Sequence, residues 1–395
     1  MTSDHARLKA GSFNIQAQER IVFGRPAGEA VLAEAKRYGA KRIFVTSTRS
    51  LARLDGGPLQ KLLDALGPMH AGTYTEISSH SPREDVIAGA LAARASQADL
   101  LVALGGGSVI DATKAMQLCL WLGLDTPADM EPYTAGINRE PVTIRLPVDP
   151  IRMIAVSTTL SASDFTSVAG VTDSATKTKQ TFVHRLLAPR TVVMDPAATL
   201  NTPLWLLFST GMRSVDHAVE GYCSPAAHAG TEALSLQGLR LLARSLPAIK
   251  ADPADLQTRL DAQVGMWQAI AAGASGVPNG ASHGIGYVLG GTFGVPHGHT
   301  SCVMLPAVLA WNAAVNAGRQ KALSEAMGAP GRPASELVRE LAAALGQPTT
   351  LRAVGIQRGN LDEIAERALG YGPVLNNPRP IATSADVMQI LELAW

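Results

Sequence analysis

Three of the chain's nine histidines stand at spacings where imidazoles could act together. His217 lies in the run GMRSVDHAVEGY, four residues after Arg213, so the two side chains share one helix face. His283 stands in SHGIGYVLGGTFGVPHGHT, and His297 follows it by fourteen residues, beyond a GGTFG turn and a proline. A helix from His283 that ends at Gly290-Gly291 would fold the chain back and bring His297 near His283. Two histidines converging on a third is the geometry of a divalent-metal site, and an imidazole so placed is also a proton donor. Taken singly, each reads more readily as an ordinary hydrogen-bonded or surface histidine.

A second constellation suits phosphate. DLLVALGGGSVIDATKA is an apolar strand, three glycines, a serine and then a helix. Gly105, Gly106 and Gly107 lack the Cβ atoms that would keep backbone N–H groups from a diphosphate, and the helix start adds free donors and a positive dipole end. Ser108 can add a hydroxyl. The spacing is not GxGxxG, so the common dinucleotide fingerprint does not apply, and a tight turn with glycines for backbone geometry alone is the plainer reading. Asp111 and Lys114, three residues apart on one face, form either a solvated ion pair or a pair reaching a ribose and a nicotinamide amide, and the ion pair is the safer expectation. In STTLSASDFT, Thr158 and Thr159 open a hydroxyl-rich turn after an apolar strand; it supplies short donors for a cofactor or simply caps its own backbone.

Elements must bring these groups together. Short β-branched runs at 42–46, 99–104, 153–156 and 191–194, with an alternating segment at 13–23, are interleaved with helical patterns at 27–38, 59–66 and 82–95. Alternation of this kind predicts a parallel sheet with helices on its faces. The composition shifts near Asp195-Pro196. Beyond it, helical patterns run through 229–246, 256–274, 301–317, 334–345, 361–368 and 385–393, with no comparable strand signal. Two domains around one cleft are expected, with ligands at the carboxyl ends of the strands.

The chain has 395 residues, 46% hydrophobic and 17% charged, which suffices for a large core. Lys and Arg total 34 against 33 Asp and Glu, so the charge of +1 gives no electrostatic ground for nucleic acid or an anionic membrane as partner. Cys119, Cys223 and Cys302 are too far apart for a CxxC site or a disulfide framework. With no apolar signal segment and no uninterrupted apolar span of ~18 residues, a cytoplasmic protein is expected.

At these residues the sequence resembles the iron-dependent (group III) alcohol dehydrogenase superfamily, and within it the maleylacetate reductase branch. The GGGS turn with Asp111 and Lys114, the Thr158-Thr159 turn, the DHAVE-like helix around His217 and the stretch from His283 to His297 occur in the family's order over nearly the whole chain. The resemblance implies an α/β dinucleotide-binding domain over 1–196 and an all-α catalytic domain over 197–395, the architecture shared with dehydroquinate synthase. It further implies hydride transfer between a nicotinamide and a carbonyl or alcohol, a small-molecule carbonyl substrate and a homodimer.

Carried over to this chain, the family's metal ligands would be an aspartate at position 213 with His217, His283 and His297. Position 213 is arginine, and position 287, a histidine in many relatives, is Tyr287. A guanidinium cannot ligate a cation. Its charge about 4 Å from a divalent ion would cost roughly 8 kcal/mol at an effective dielectric near 20, against about 10 to 16 kcal/mol for a strong zinc site. Asp216, turned by about 100° from His217, is expected to be a poor substitute.

The expected enzyme is therefore a metal-free reductase. Arg213 would bind a substrate carboxylate or polarise the carbonyl, and His217, His283 or His297 would protonate the alkoxide. Many NAD-specific relatives carry an aspartate after the first strand of this domain. Here Ser47, Thr48 and Arg49 stand there, no carboxylate is in the run, and Arg49 is a candidate for a 2′-phosphate; either NADPH or NADH is expected to serve. Competing readings are a zinc or iron alcohol dehydrogenase with three histidine ligands, a dehydroquinate-synthase-like cyclase or lyase, and a nucleotide-binding protein without catalysis.

Overall fold

The computed structural model describes residues 12–135, 142 and 144–395. Strands β1 (Arg20–Phe23), β2 (Ile43–Thr46), β3 (His70–Tyr74), β4 (Leu100–Gly105), β5 (Arg152–Ser157) and β8 (Thr191–Met194) form one parallel sheet in the order β1-β8-β5-β4-β2-β3. Its central strands β2, β4, β5 and β8 are apolar and buried on both faces because helices cover both. On β4, Leu100, Val102 and Leu104 pack with α1 (Ala27–Tyr38) and α2 (Pro58–Leu66). Leu101 and Ala103 face the other way, toward α3 (Arg83–Ala95) and α4 (Gly107–Leu122). The order reverses between β2 and β4, which is where open α/β sheets bind their ligands.

Two elements escape the expectations from sequence. β3 contains Gly72, over which the Phe44 ring lies 3.1 Å from where a Cβ would stand, so it lacks a β-branched run. β6 (Val168–Asp173) and β7 (Thr178–Val183) form an antiparallel hairpin whose polar residues hide its strand period. The alternating segment at 13–23 becomes a strand only at β1.

The rest is helical: α5 (Leu204–Cys223), α6 (Ala229–Ala251), α7 (Leu256–Ala274), α8 (Ala281–Phe293), α9 (His297–Ala326), α10 (Ala334–Ala344), α11 (Leu361–Ala368) and α12 (Ser384–Leu393). The residues fall into two compact units. A sheet unit comprises Gln16–Gly211 with Ala248–Val264, and a helical unit comprises Met212–Pro247 and Gly265–Trp395 with residues 12–15. In the helical unit Ile285, Leu289, Met304, Trp311, Ile364 and Ile390 share one core. α9 is long and apolar enough to cross a membrane, but 67% of its apolar stretch is buried in the protein, as in a core helix. Cys119, Cys223 and Cys302 are buried and unbridged.

Candidate active site

In the sheet unit, β4 and β5 run in register with Gly105 opposite Ser157, so the two polar turns leave the sheet side by side. The Thr158 N–H donates to the Gly105 carbonyl at 3.0 Å. A Cβ on Gly106 would stand 2.9 Å from Thr159 Cγ2, and one on Gly107 3.1 Å from Ser161 Oγ. These glycines thus permit a close turn-to-turn approach. Gly106 begins α4 without any side-chain cap, leaving the helix's first N–H groups as donors for an anion. Ser108 Oγ accepts the His80 N–H at 3.1 Å.

Asp111 and Lys114 are not a solvated pair. The Lys114 side chain is fully buried, with Nζ 4.0 Å from Asp111 Oδ1. Nζ donates to the Ser163 carbonyl at 2.6 Å, the Val168 carbonyl at 2.8 Å and Thr166 Oγ1 at 3.1 Å. Asp111 accepts from the Ser163 hydroxyl and from the Gly170 N–H at 3.2 Å. Burial pushes the Lys114 ammonium down to about 8, against the pull of Asp111 and Asp164.

Ser47 and Arg49 follow β2 at the reversal point. The Ser47 hydroxyl is buried and donates to the Leu104 carbonyl at 2.9 Å. Exposed Arg49 forms an ion pair with Glu76, which lies just beyond β3. A carboxylate therefore does face this turn, contrary to the reading of the local run, because parallel pairing of β2 with β3 carries it there across 27 residues.

In the helical unit, Arg213, Asp216, His217 and Glu220 recur at i, i+3, i+4 and i+7 along α5, one stripe of a helix face. Facing them is the start of α8. Gly280, its N-cap, has no side-chain cap of its own. The Glu220 carboxylate supplies one: Oε2 accepts the Gly280 N–H at 2.8 Å and Oε1 the Ser282 N–H at 2.7 Å. A carboxylate on orphan donors at a helix N-terminus contributes about 1 kcal/mol. A Cβ at position 280 would stand 2.9 Å from Glu220 Oε1, so a side chain there would push this carboxylate aside.

The same carboxylate holds an imidazole. His283 Nδ1 lies 2.7 Å from Glu220 Oε2, and His283 Nε2 lies 3.0 Å from His217 Nδ1. His283 is fully buried while His217 keeps some exposure. Burial, reinforced by Arg213, holds His283 down to about 3; burial, then His283 and Arg213, push His217 well below the usual histidine range. Both rings are thus neutral near pH 7. Burial raises Glu220 to about 7 despite the N–H groups on it.

Arg213 is 4% exposed. Its Nη1 donates to Ser301 Oγ at 3.0 Å and stands 3.7 Å from Asp216 Oδ2. Asp216 Oδ2 also accepts the Ser301 hydroxyl at 2.6 Å and the Ser282 hydroxyl at 2.8 Å. Burial raises the Asp216 pKa, against the pull of His283 and Arg213.

His297 joins this group indirectly. α8 does not end at Gly290-Gly291 as the sequence suggests but continues to Phe293, with Gly294 at φ 69° as its stop. His297, exposed at the start of α9, stacks on Tyr287 at 6.2 Å between centroids, and Tyr287 meets His283 edge-on at 6.5 Å.

Arg213 places a guanidinium at the position where the resemblance implies the first metal ligand, and His217 and His283 are hydrogen-bonded to each other. Ligand atoms of Asp216, Glu220 and His283 do lie within 4.8 Å of one another. The Glu220 oxygens and Asp216 Oδ2, however, already accept hydrogen bonds, and Asp216 faces a guanidinium. Sequence reasoning missed Glu220 and discounted Asp216; the four charged or ionisable residues at i, i+3, i+4 and i+7 on this helix are the signal that contained both.

Comparison with known proteins identifies the family. The "Iron-containing alcohol dehydrogenase" family model matches residues 18–196, and "Fe-containing alcohol dehydrogenase family, C-terminal" matches 207–395. The chain is 33% identical to a maleylacetate reductase of Sphingobium indicum over 376 residues, covering 95% of each chain. It is 32% identical to the dehydrogenase FUM7 of Gibberella moniliformis, covering 93% of this chain and 94% of that one. Among solved structures, maleylacetate reductase from Rhizobium sp. superposes with a TM-score of 0.81 at 27% identity, covering 98% of each chain. The chain belongs to the iron-containing (group III) alcohol dehydrogenase family, in its maleylacetate reductase branch, and is an NAD(P)H-dependent oxidoreductase.

Proposed function

We propose that this oxidoreductase reduces the carbonyl of a small, carboxylate-bearing substrate, as the names of its maleylacetate reductase relatives suggest, and does so without a metal ion. The observation that carries this reading is Arg213, buried at the family's acidic ligand position and fixed by Ser301 and Asp216 beside the His217–His283 pair. Anchoring through Nη1 leaves the remaining guanidinium donors for a substrate carboxylate or for the oxygen that becomes negative as hydride arrives. His217, the more exposed ring of the pair, is the donor to the alkoxide; His283 acts through it, and His297 with Tyr287 borders the substrate.

NADPH or NADH is the hydride source. Its phosphates sit on Gly105, Gly106, Gly107 and Ser108 with the Thr158-Thr159 turn, and its adenosine ribose near Ser47 and Arg49. Asp111 and Lys114 shape this site from behind by holding the 163–170 segment. Residues 1–196 thus carry cofactor binding and 197–395 carry catalysis. A cytoplasmic homodimer completes the reading.

The test is loss of nicotinamide absorbance at 340 nm with a panel of keto acids and aldehydes, run beside metal analysis. Oxidation of NAD(P)H by keto acids with substoichiometric metal is the expected result. Stoichiometric iron or zinc, lost together with activity on chelation, overturns the metal-free reading.

A further inference from the structure

Within the helical unit three rings form a run beside Arg213. His297 stacks on Tyr287 with centroids 6.2 Å apart and planes inclined by 10°, and Tyr371 meets Tyr287 at 5.8 Å and 52°. We propose that Tyr371 is a specificity-determining residue which, with Tyr287 and His297, selects a keto acid carrying an aromatic ring. The proposal rests on the carbonyl-reduction reading above.

Two helices set these rings next to Arg213 and His217. On α9, His297 stands one turn, about 5 Å, before Ser301, whose Oγ accepts from Arg213 Nη1 at 3.0 Å. On α8, Tyr287 stands one turn after His283, whose Nε2 lies 3.0 Å from His217 Nδ1. Residues four apart share a helix face, so the rings continue the surface that Arg213 and His217 begin. A carboxylate on the guanidinium, a carbonyl at His217 and a ring against the aromatic run therefore follow one another within one short molecule. An aryl 2-oxo acid carries its groups in that order.

Tyr371 is held in place by its own segment. Its N–H donates to the Ala368 carbonyl at the end of α11 at 3.1 Å, and the helical turn Gly372–Leu375 follows it. A Cβ on Gly284 would stand 2.4 Å from Val374 Cγ2 and 2.9 Å from the Val374 nitrogen, so this glycine lets the turn come down onto α8. Buried Asn377 closes the segment: its Nδ2 donates to Asn312 Oδ1 at 2.7 Å, and Asn312 Nδ2 donates to Asn377 Oδ1 at 3.1 Å. A surface fixed before the ligand arrives costs little ordering on binding. Tyr371 nevertheless keeps 38% of its surface exposed, and His297 is exposed at the other end of the run. Ring surface is thus presented outward beside a cation. Burial of apolar area alone would favour a cyclohexyl group as much as a phenyl group. Ring-to-ring contact adds about 3- to 10-fold in affinity, and only the phenyl group can make it.

The experiment sets phenyl against cyclohexyl twice. Titration calorimetry on the NAD(P)H-saturated enzyme gives the Kd of 3-phenylpropanoate and of 3-cyclohexylpropanoate, neither of which has a ketone to reduce. Loss of NAD(P)H gives kcat/KM for phenylpyruvate and for 3-cyclohexyl-2-oxopropanoate. Expected is a preference for the phenyl member of about 3- to 10-fold in both measurements. Tyr371→Phe should keep that preference, and Tyr371→Leu should bring both ratios to about one. A wild-type ratio near one, or a ratio that Tyr371→Leu leaves unchanged, overturns the proposal; the wild-type ratio decides alone if the leucine variant does not fold. A Tyr371→Leu enzyme whose Kd for NAD(P)H rises by the same factor would assign the rings to the nicotinamide and overturn it as well. Reduction of both keto acids at equal kcat/KM leaves the carbonyl-reduction reading standing and sinks the aromatic preference. Selective binding of 3-phenylpropanoate with neither keto acid reduced overturns that reading instead.

Discussion

Lys114 and Arg213 invite comparison: each is a buried cation, in the sheet unit and the helical unit respectively, and each stands three residues from an aspartate on its own helix. The ion-pair distances are similar, 4.0 Å and 3.7 Å. What surrounds them differs. Lys114 has a neutral oxygen for each of its three N–H donors, all from the segment 163–168, and burial lowers its pKa to about 8. It ties a loop in place and can shed its charge. Arg213 cannot do so, since a guanidinium keeps its proton in protein interiors. Asp216 balances it, with Ser301 bridging the two, and the charge persists next to two neutral imidazoles. The same spacing thus yields a lysine that ties down a loop in one unit and a fixed, paired cation in the other.

The largest expected effect removes that paired cation. Arg213→Met should lower kcat by roughly 10²- to 10³-fold, the range for removing one donor to a developing oxyanion, while the Kd for NAD(P)H stays unchanged by fluorescence titration. Arg213→Met with Asp216→Asn removes both charges. It should recover stability lost in the single variant, where Asp216 is left buried and uncompensated, yet recover no turnover. Turnover that survives in either variant would make Arg213 structural, as Lys114 is.

Lys114→Met is next. It leaves the Ser163 and Val168 carbonyls without their donor and should destabilise the protein by about 3 kcal/mol in denaturant unfolding. Any loss of activity should appear in KM for the nicotinamide cofactor. The pH dependence sharpens the contrast. The folded state releases the Lys114 proton near pH 8, whereas the ordinary value is 10.5, so between these limits the unfolded chain binds more protons and stability rises with pH. Lys114→Met should flatten that rise. A rise that persists in the variant would belong to other groups.

The two units also differ in what could be read before folding. Most of the sheet was legible because β2, β4, β5 and β8 are short apolar runs buried on both faces. β3 and the β6–β7 hairpin were not, since Gly72 and the Lys179, Gln180 and Thr181 run carry no such pattern. The glycine turn was legible as local chemistry. The partners of Lys114, 49 to 54 residues away, were not, because i, i+3 spacing points only to Asp111. At the histidine site the spacing named Arg213 and His217. It did not name Glu220, whose role depends on the α8 N-terminus 60 residues on. The spacing also suggested that the three histidines converge; in the fold His283 meets His217, and His297 stacks on Tyr287.

A smaller effect tests the glycine turn as a cofactor cradle. Gly106 has φ −88°, which other residues adopt, so the penalty for Gly106→Ala arises from its new Cβ meeting Thr159 and crowding the phosphate site. About tenfold weaker NAD(P)H binding, equal to about 1.4 kcal/mol, with kcat at saturation unchanged, is expected by titration calorimetry. Unchanged affinity would move the phosphates elsewhere.

The smallest effect concerns the choice between the two nicotinamides. Arg49 and Glu76 are exposed, at 68% and 45% of their side-chain surface, so their pairing is screened by water and salt. Arg49 would attract a 2′-phosphate, and Glu76 both occupies Arg49 and repels that phosphate; the opposed charges leave little net preference. Glu76→Gln removes the repulsion and frees the guanidinium. The ratio of kcat/KM for NADPH over NADH should rise about 2- to 5-fold at low ionic strength, the scale of a single exposed charge. Because the contact is solvent-exposed, the gain should fade at high salt. A ratio that does not move at either ionic strength would place the adenosine ribose out of reach of Arg49, leaving Ser47 and its neighbours to determine cofactor choice.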